Sequence, residues 1–405
     1  MLRSALLFYR RLVGELENIG FELNPYDPCV ANKVVNGTQM TVVWHVDDVK
    51  ASHADDFEIT KLAAHLQKIF GGLKVCRGNV LDYLRMELDY SEEGSVYIGQ
   101  IEYLLNILRE FPEHLGGPSP TPAADHLFDV RSEDDPAKRY LPEDQARIFH
   151  HVVAQLLFMA CRARRDVQTA VAFLTTRVKQ PDEDDWMKLR RALKYLKGTI
   201  GLQLKLTVKD LGTILHYVDA SYAVHPDCKG HTGYMMTLGE GAVCSTSGKQ
   251  KINGGSSTED ELIGAHDKMP TVVWSKFFIE AQGHPVLCNI LFQDNKSAIL
   301  LETNGRLSSS RRTKHIKNRY FQMVDKIALG ELEVAYKPTD EMWADINTKP
   351  RQGKGFREFR AKLMNCPVDY EDSTNYEDLD MKDGKTKPQC RVFAKVNGKR
   401  VVVRQ

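Results

Sequence analysis

The run Ile214–Met236, ILHYVDASYAVHPDCKGHTGYMM, decides how the second half of the chain folds. An apolar stretch stops at one carboxylate, Asp219. Small polar residues and a Gly-bearing turn follow, and the β-prone run Thr232–Leu238 reads as a returning strand. This pattern puts an acid at a strand end, pointing out of a core. Alone, such an aspartate is explained equally by a turn in which its side chain bonds the local backbone.

Three more acids stand in comparable settings. Glu261 lies near the start of the helical pattern TEDELIGAHDKMPTVVWSKFFIEA, Asp294 follows the apolar strand Val286–Phe292, and Asp345 opens a short helix after the strand Leu332–Tyr336. Three hairpin-style strands, a helix, a strand, a helical stretch, a strand and a helix predict an α/β layer architecture, a mixed sheet with helices packed on it. Carboxylates converging there repel one another unless cations lie between them, which implies Mg²⁺ or Mn²⁺ on oxygen ligands. Two such ions roughly 3.5–4 Å apart clamp the attacking and leaving oxygens of a phosphodiester. These residues point to a two-metal nuclease.

The runs YVDAS, TGY, SSTEDELIGA, QDNKSAI, RRTKHI and ADINTKP, in this order, resemble the ribonuclease H domain of copia-type LTR retrotransposon polyproteins. The resemblance implies catalytic, metal-binding acids at Asp219, Glu261, Asp294 and Asp345, two Mg²⁺ (or Mn²⁺) ions, and cleavage of RNA in RNA–DNA hybrids. Glu259 rivals Glu261, because the family's STEAEY-like pattern holds two glutamates; the following LIGA favours Glu261 as the start of the core-facing helix. In RLSSSRRTKHIKNRYFQ, the residues Arg306, Arg311, Arg312, Lys314, Lys317 and Arg319 are expected to touch nucleic-acid backbone, the plainer reading being a solvated helix face. His315 is either a proton shuttle to the leaving oxygen or a surface histidine with no chemical duty.

Upstream, Asn36-Gly37 between two β-prone runs predicts a hairpin, and the strand Thr41–Val46 ends at Asp47-Asp48. A turn explains that pair on its own. In context, FELNPYDPCVANK and VVWHVDDVKASH resemble the palm of a copia-type reverse transcriptase. The resemblance implies Asp47 and Asp48 as metal ligands acting on a template-primer, with His45 near the primer end. In DYLRMELDY, Arg85 stands where the family's primer-holding turn has glycine, so a backbone needing positive φ there is strained by arginine. The family's third palm acid and fingers lie upstream of this sequence, so an incomplete polymerase centre is expected. The alternative to a live nuclease is a catalytically inactive retroelement remnant that at most binds nucleic acid.

The expected organisation follows. Residues 1–115 form a partial, α+β palm-like reverse transcriptase, with helices at Ser4–Ile19 and Asp55–Gly72. Residues 116–142, rich in Pro, Ala, Asp and Ser, read as a linker or extended crossing segment. Residues 143–208 form a helical thumb or connection region, 209–364 a ribonuclease H-like mixed-sheet domain, and 365–405 a partly disordered tail in which VFAKVNGKRVVV suits a hairpin. Arg162, Arg164 and Arg165 suit either an exposed helix end or phosphate contact.

The 405 residues suit about two or three domains. A net charge of +1 excludes a globally basic nucleic-acid binder, so any footprint is local. Eight scattered cysteines with no CxxC pair fit reduced thiols. No apolar run suits a bilayer and no signal peptide is visible, so a cytoplasmic or nuclear location without membrane contact is expected.

Overall fold

The computed structural model describes residues 2–305, 317–372 and 400–404, of which 2, 3, 317–321 and 400–404 are described by backbone alone. Two units emerge: residues 1–97 with 277–285 and strand 400–404, and residues 98–276 with 286–372.

In the first unit, α1 (Leu2–Asn18) precedes β1 (Glu22–Asn24), β2 (Asp27–Val35), β3 (Thr38–His45), β4 (Asp48–Ser52), α2 (Asp56–Phe70), β5 (Lys74–Gly78), β6 (Val80–Tyr83), β7 (Met86–Asp89) and β8 (Ser95–Gly99). Helix α2 begins where the Asp55 carboxylate accepts the Phe57 N–H at 2.9 Å, and it stops at Gly71, whose φ of 64° spares a Cβ from strain. Its Ile59, Leu62 and Leu66 share a core with Leu12 and Leu16 of α1 and with Val42, Trp44 and Val49 of the sheet. The Asn36-Gly37 hairpin forms with Val35 opposite Thr38 and positive φ at both turn residues. A final strand, β16 (Arg400–Arg404), lies between β4 and β5, giving the sheet order β1-β2-β3-β4-β16-β5. Both edges of β16 are thereby taken; the first strand and turn of the hairpin expected for VFAKVNGKRVVV lie outside the described residues.

The second unit holds α3 (Ile101–Glu110), α4 (Glu143–Ala160), α5 (Gln168–Thr175), α6 (Glu183–Lys197), β9 (Leu204–Val208), β10 (Thr213–Ser221), β11 (His231–Thr237), β12 (Gly239–Glu240) and β13 (Cys244–Lys249). These are followed by α7 (Ser257–Ala281), β14 (Cys288–Gln293), α8 (Lys296–Asn304), α9 (Lys317–Ala328), β15 (Glu333–Tyr336) and α10 (Gly353–Met364). The sheet runs β13-β11-β10-β14-β15. β10, β11 and β13 pair antiparallel, whereas β14 and β15 join parallel to β10, so the architecture is mixed α/β. One core gathers Leu104 of α3, Phe149 of α4, Val171 of α5, Leu193 of α6, Tyr217 of β10 and Phe359 of α10. The helices expected as a separate thumb or connection thus share an apolar interior with the sheet.

Of the two readings of 116–142, the packing fits an extended crossing segment better than a loose linker. Although irregular, it buries Thr121, Ala123 and Leu127, and Gln352 Nε2 donates to the Ala123 carbonyl at 2.8 Å. Its prolines carry no backbone N–H, which leaves fewer donors for burial to orphan. The arginine trio is also corrected. Arg164 is buried, with its guanidinium forked onto Asp166 at 3.0 and 2.8 Å. Arg165 donates to the Val243 carbonyl at 3.2 Å, and Arg162 lies 3.7 Å over the Phe158 ring. All three are tied into the fold. The seven described cysteines are free thiols, and no described helix is long and apolar enough to cross a membrane.

Candidate metal centre

Asp219 lies in β10 opposite Gly233 of β11. A Cβ at Gly233 would come within 2.6 Å of the Ala344 carbonyl and 2.7 Å of Thr348 Cγ2. Only glycine lets the 3₁₀ turn Trp343–Asn347 cross the strand that closely. From α5, Thr169 Oγ1 donates to the Ile346 carbonyl at 2.5 Å, and Asn347 Nδ2 donates to the Tyr234 carbonyl at 3.0 Å. This fixed crossing carries Asp345, Thr348 and Lys349 to Asp219. On the opposite side, a Cβ at Gly264 would touch Val218 and Thr232 side chains at 3.3 Å, so α7 packs tightly on β10 and β11. Glu261 sits one turn earlier on that helix.

The result is a cluster of three carboxylates. Asp219, Glu261 and Asp294 each offer one oxygen, and all three lie within 4.8 Å of one another. Asp219 and Glu261 are buried; Asp294, just past β14, is half-buried. Thr348 Oγ1 donates to Asp219 Oδ2, while Thr339 Oγ1 donates to Asp294 Oδ2 at 2.8 Å. Lys349 Nζ stands 3.6 Å from Asp219. Burial pushes the Asp219 carboxyl up to about 6, with Lys349 opposing and Asp345 and Asp294 adding to the rise. Burial, then Asp219 and Asp294, raises Glu261 well above the usual carboxylate range, and its Oε2 is buried with no hydrogen-bond donor.

The fourth acid of the sequence reading is placed differently. Asp345 is fully buried, and its carboxylate is ion-paired with both Lys349 and Arg351. It lies outside the three-oxygen cluster among the described residues. Glu259 turns to the loop, where it accepts the Gly255 N–H at 2.8 Å.

Thr348, Lys349, Arg351 and Thr339 were not singled out from the sequence. The signal for two of them was present: TKP after Asp345 puts a hydroxyl and a cation three and four residues on, the spacing of one helical face. A buried relay also supports the crossing turn. Ser247 Oγ donates to the Asn347 carbonyl at 2.7 Å, so it must accept from His231 Nε2, likewise at 2.7 Å. His231 Nδ1 is then an acceptor for His225 Nε2 at 3.0 Å. Burial lowers these imidazoles to about 3 and about 4, keeping both neutral.

The other candidates do not gather into a site. Asp47 and His45 are exposed at the β3–β4 turn, Asp48 is half-buried, and no described third acid completes a ligand group with them. Leu84 and Arg85 connect β6 to β7 with φ of 52° and 62°, so Arg85 holds the left-handed conformation that glycine prefers. Arg306, Arg311, Arg312, Lys314 and His315 lie outside the described residues, as do the side chains of Lys317 and Arg319.

Fold and site define the chain as a mixed α/β protein with a buried, oxygen-donor carboxylate centre. It is 29% identical over 330 residues to the retrovirus-related Pol polyprotein from transposon TNT 1-94 of Nicotiana tabacum, covering 80% of this chain and 24% of that relative. It is 30% identical over 220 residues to the retrovirus-related Pol polyprotein from transposon RE2 of Arabidopsis thaliana, covering 53% of this chain and 15% of that relative. A further match, 30% identical over 123 residues, covers 30% of this chain and 87% of a secreted RxLR effector protein 161 from Plasmopara viticola. No protein-family model matches. The chain is thus similar to retrovirus-related Pol polyproteins of plant transposons, and it spans less than a quarter of the length of the Nicotiana one.

Proposed function

We propose that the chain carries a ribonuclease H activity, Mg²⁺- or Mn²⁺-dependent cleavage of the RNA strand in an RNA–DNA hybrid. The observation that carries this reading is the convergence of Asp219, Glu261 and Asp294 within 4.8 Å. The donor set suits a hard divalent cation: oxygen ligands only, two of them buried, and one Glu261 oxygen with no donor. A bound divalent ion pair would supply an activated water and neutralise charge on the departing 3′ oxygen. The chain's own residues do the positioning. Thr348 and Thr339 orient the Asp219 and Asp294 oxygens, the packed first turns of α7 fix Glu261, and Lys349 partly neutralises the cluster. Recognition through phosphates, helix shape and the RNA 2′-hydroxyl predicts little sequence preference.

Polymerisation is not proposed for this chain, since Asp47 and Asp48 have no described third ligand. The second reading, an inactive retroelement remnant that binds nucleic acid, is favoured by one observation: Lys349 and Arg351 occupy the Asp345 carboxylate. Incubating the full chain with a labelled hybrid and Mg²⁺, beside Asp294→Asn, separates the two. RNA cleavage lost in the variant supports the nuclease; hybrid binding without cleavage by the folded chain supports the remnant.

A further inference from the structure

Gln293 ends β14 one residue before Asp294, and its buried side chain faces Glu302 of α8, also buried. Gln293 Nε2 donates to Glu302 Oε1 at 3.0 Å. The two remaining oxygens, Glu302 Oε2 and Gln293 Oε1, are buried and neither has a donor among the described residues. An amide facing a carboxylate leaves that pair of orphan acceptors; an amide facing a carboxylic acid does not, because the acid O–H donates to the amide oxygen.

We propose that Glu302 is held as a neutral carboxylic acid hydrogen-bonded to Gln293 in both directions, and that this pair positions Asp294 in the carboxylate cluster. The inference rests on the metal-site reading above. Burial raises the Glu302 carboxyl to about 8, in keeping with a bound proton at neutral pH. Gln293 is also held through its backbone, where its carbonyl accepts the Lys337 N–H at 2.8 Å. With side chain and backbone both anchored, the residue that follows has a fixed origin.

Among the described residues no cation stands by to stabilise an ionised Glu302; the side chains of Lys317 and Arg319 on α9 lie outside them. On α8 itself, Lys296 lies over the Tyr336 ring. From α9, Lys326 is paired with Glu331, and Asp325 makes no described contact with Glu302; from β15 and its end come Glu333, Tyr336 and Lys337, the last paired with Glu341. From α7, Glu261 faces Asp219 and Asp294, Glu259 accepts from Gly255, and Asp260 lies against Gly230 and Gly254. On β14, Cys288 is the remaining titratable side chain. None of these hydrogen-bonds or ion-pairs with Glu302 among the described residues.

The test measures Mn²⁺ affinity of the full chain at pH 7 without nucleic acid, for wild type, Glu302→Leu and Glu302→Gln. Loss of a group hydrogen-bonded to a metal ligand costs about 10-fold or more in affinity; Glu302 acts one residue removed, through Gln293, so the low end, about 10-fold, is expected for Glu302→Leu. Glu302→Gln restores the reciprocal pair as two amides and should recover the affinity. A second readout covers misfolding of the Leu variant. A carboxyl raised on folding contributes stability that is present below its unfolded value of about 4.3 and lost as pH rises through its folded value. The metal-free wild type should therefore lose melting temperature relative to Glu302→Gln between about pH 5 and about pH 8. Equal Mn²⁺ affinity of the Leu variant and wild type, or identical pH profiles of wild type and Glu302→Gln, overturns the proposal. A wild type that binds Mn²⁺ but leaves hybrids intact strikes the nuclease reading instead, with the affinity comparison unaffected.

Discussion

Replacing Asp219 by Asn should stabilise the metal-free chain while destroying its ion binding. The folded carboxyl is raised from 3.8 to about 6, because burial and the neighbouring Asp294 and Asp345 charges outweigh Lys349. At about 1.4 kcal/mol per unit, the ionised form costs the fold on the order of 3 kcal/mol at neutral pH. The sign follows from linkage: the stability is intact below the unfolded value of about 3.9 and is lost as pH climbs through the folded value. Asn keeps the carbonyl that accepts from Thr348 but buries an amide N–H group beside the Lys349 cation, so a net gain of about 2 kcal/mol is expected at pH 7. For a unit of this size that is a rise of roughly 4–8 °C in melting temperature in EDTA. Saturating Mg²⁺ should reverse the order, since ligand at 100 times its Kd adds about 2.7 kcal/mol to the wild type alone. Thermal unfolding in EDTA and in Mg²⁺, from about pH 4.5 to about pH 7.5, reads both effects. A variant that melts at or below wild type in EDTA at neutral pH, or an equal Mg²⁺ shift in both proteins, would refute the reasoning.

Four further outcomes follow from particular contacts and backbone angles. Lys349→Met removes a cation that competes for Asp219 and Asp345, so Mn²⁺ binding at pH 7 should tighten roughly tenfold, about 1.4 kcal/mol; unchanged or weaker binding in calorimetry contradicts the competition. Arg85→Gly relieves a left-handed arginine and should raise unfolding stability in urea by about 1 kcal/mol; a loss would mean the Arg85 side chain outweighs its backbone cost. Arg164→Met strands the buried Asp166 charge and should cost about 3–5 kcal/mol. Arg162→Ala loses a stacking contact of about 1 kcal/mol, and comparable losses from the two would remove the distinction drawn between them.

The β10–β11 hairpin, the long helix behind Glu261 and the strand before Asp294 were legible because each is written locally: an apolar run ending at a polar residue, or helical periodicity with an acidic first turn. The fate of Asp345 was not, since its ion pairs arise from a turn crossing Gly233, and close approach leaves no signature beyond the glycine itself. Composition made 116–142 look like a tether, yet Thr121 and Leu127 are interior, because proline-rich chain can be buried once its few polar groups find partners. The arginines after α4 looked like a charged terminus; Asp166, two residues beyond Arg164, was the counter-charge that turned them inward. Likewise Glu302 gives no hint in sequence of its burial, for helix α8 reads as weakly patterned and only its packing against Leu262 of α7 turns that face inward.

The crossing over Gly233 also sets a timetable. Asp219 receives its hydroxyl and its nearest cation from Thr348 and Lys349, about 130 residues later in the chain. At about 5–20 residues per second of synthesis, the strand emerges many seconds before the segment that completes its surroundings. During that interval the nascent sheet carries Asp219 without Thr348 or Lys349 beside it. The surroundings of Asp219 are therefore completed late, when the turn slots across the glycine.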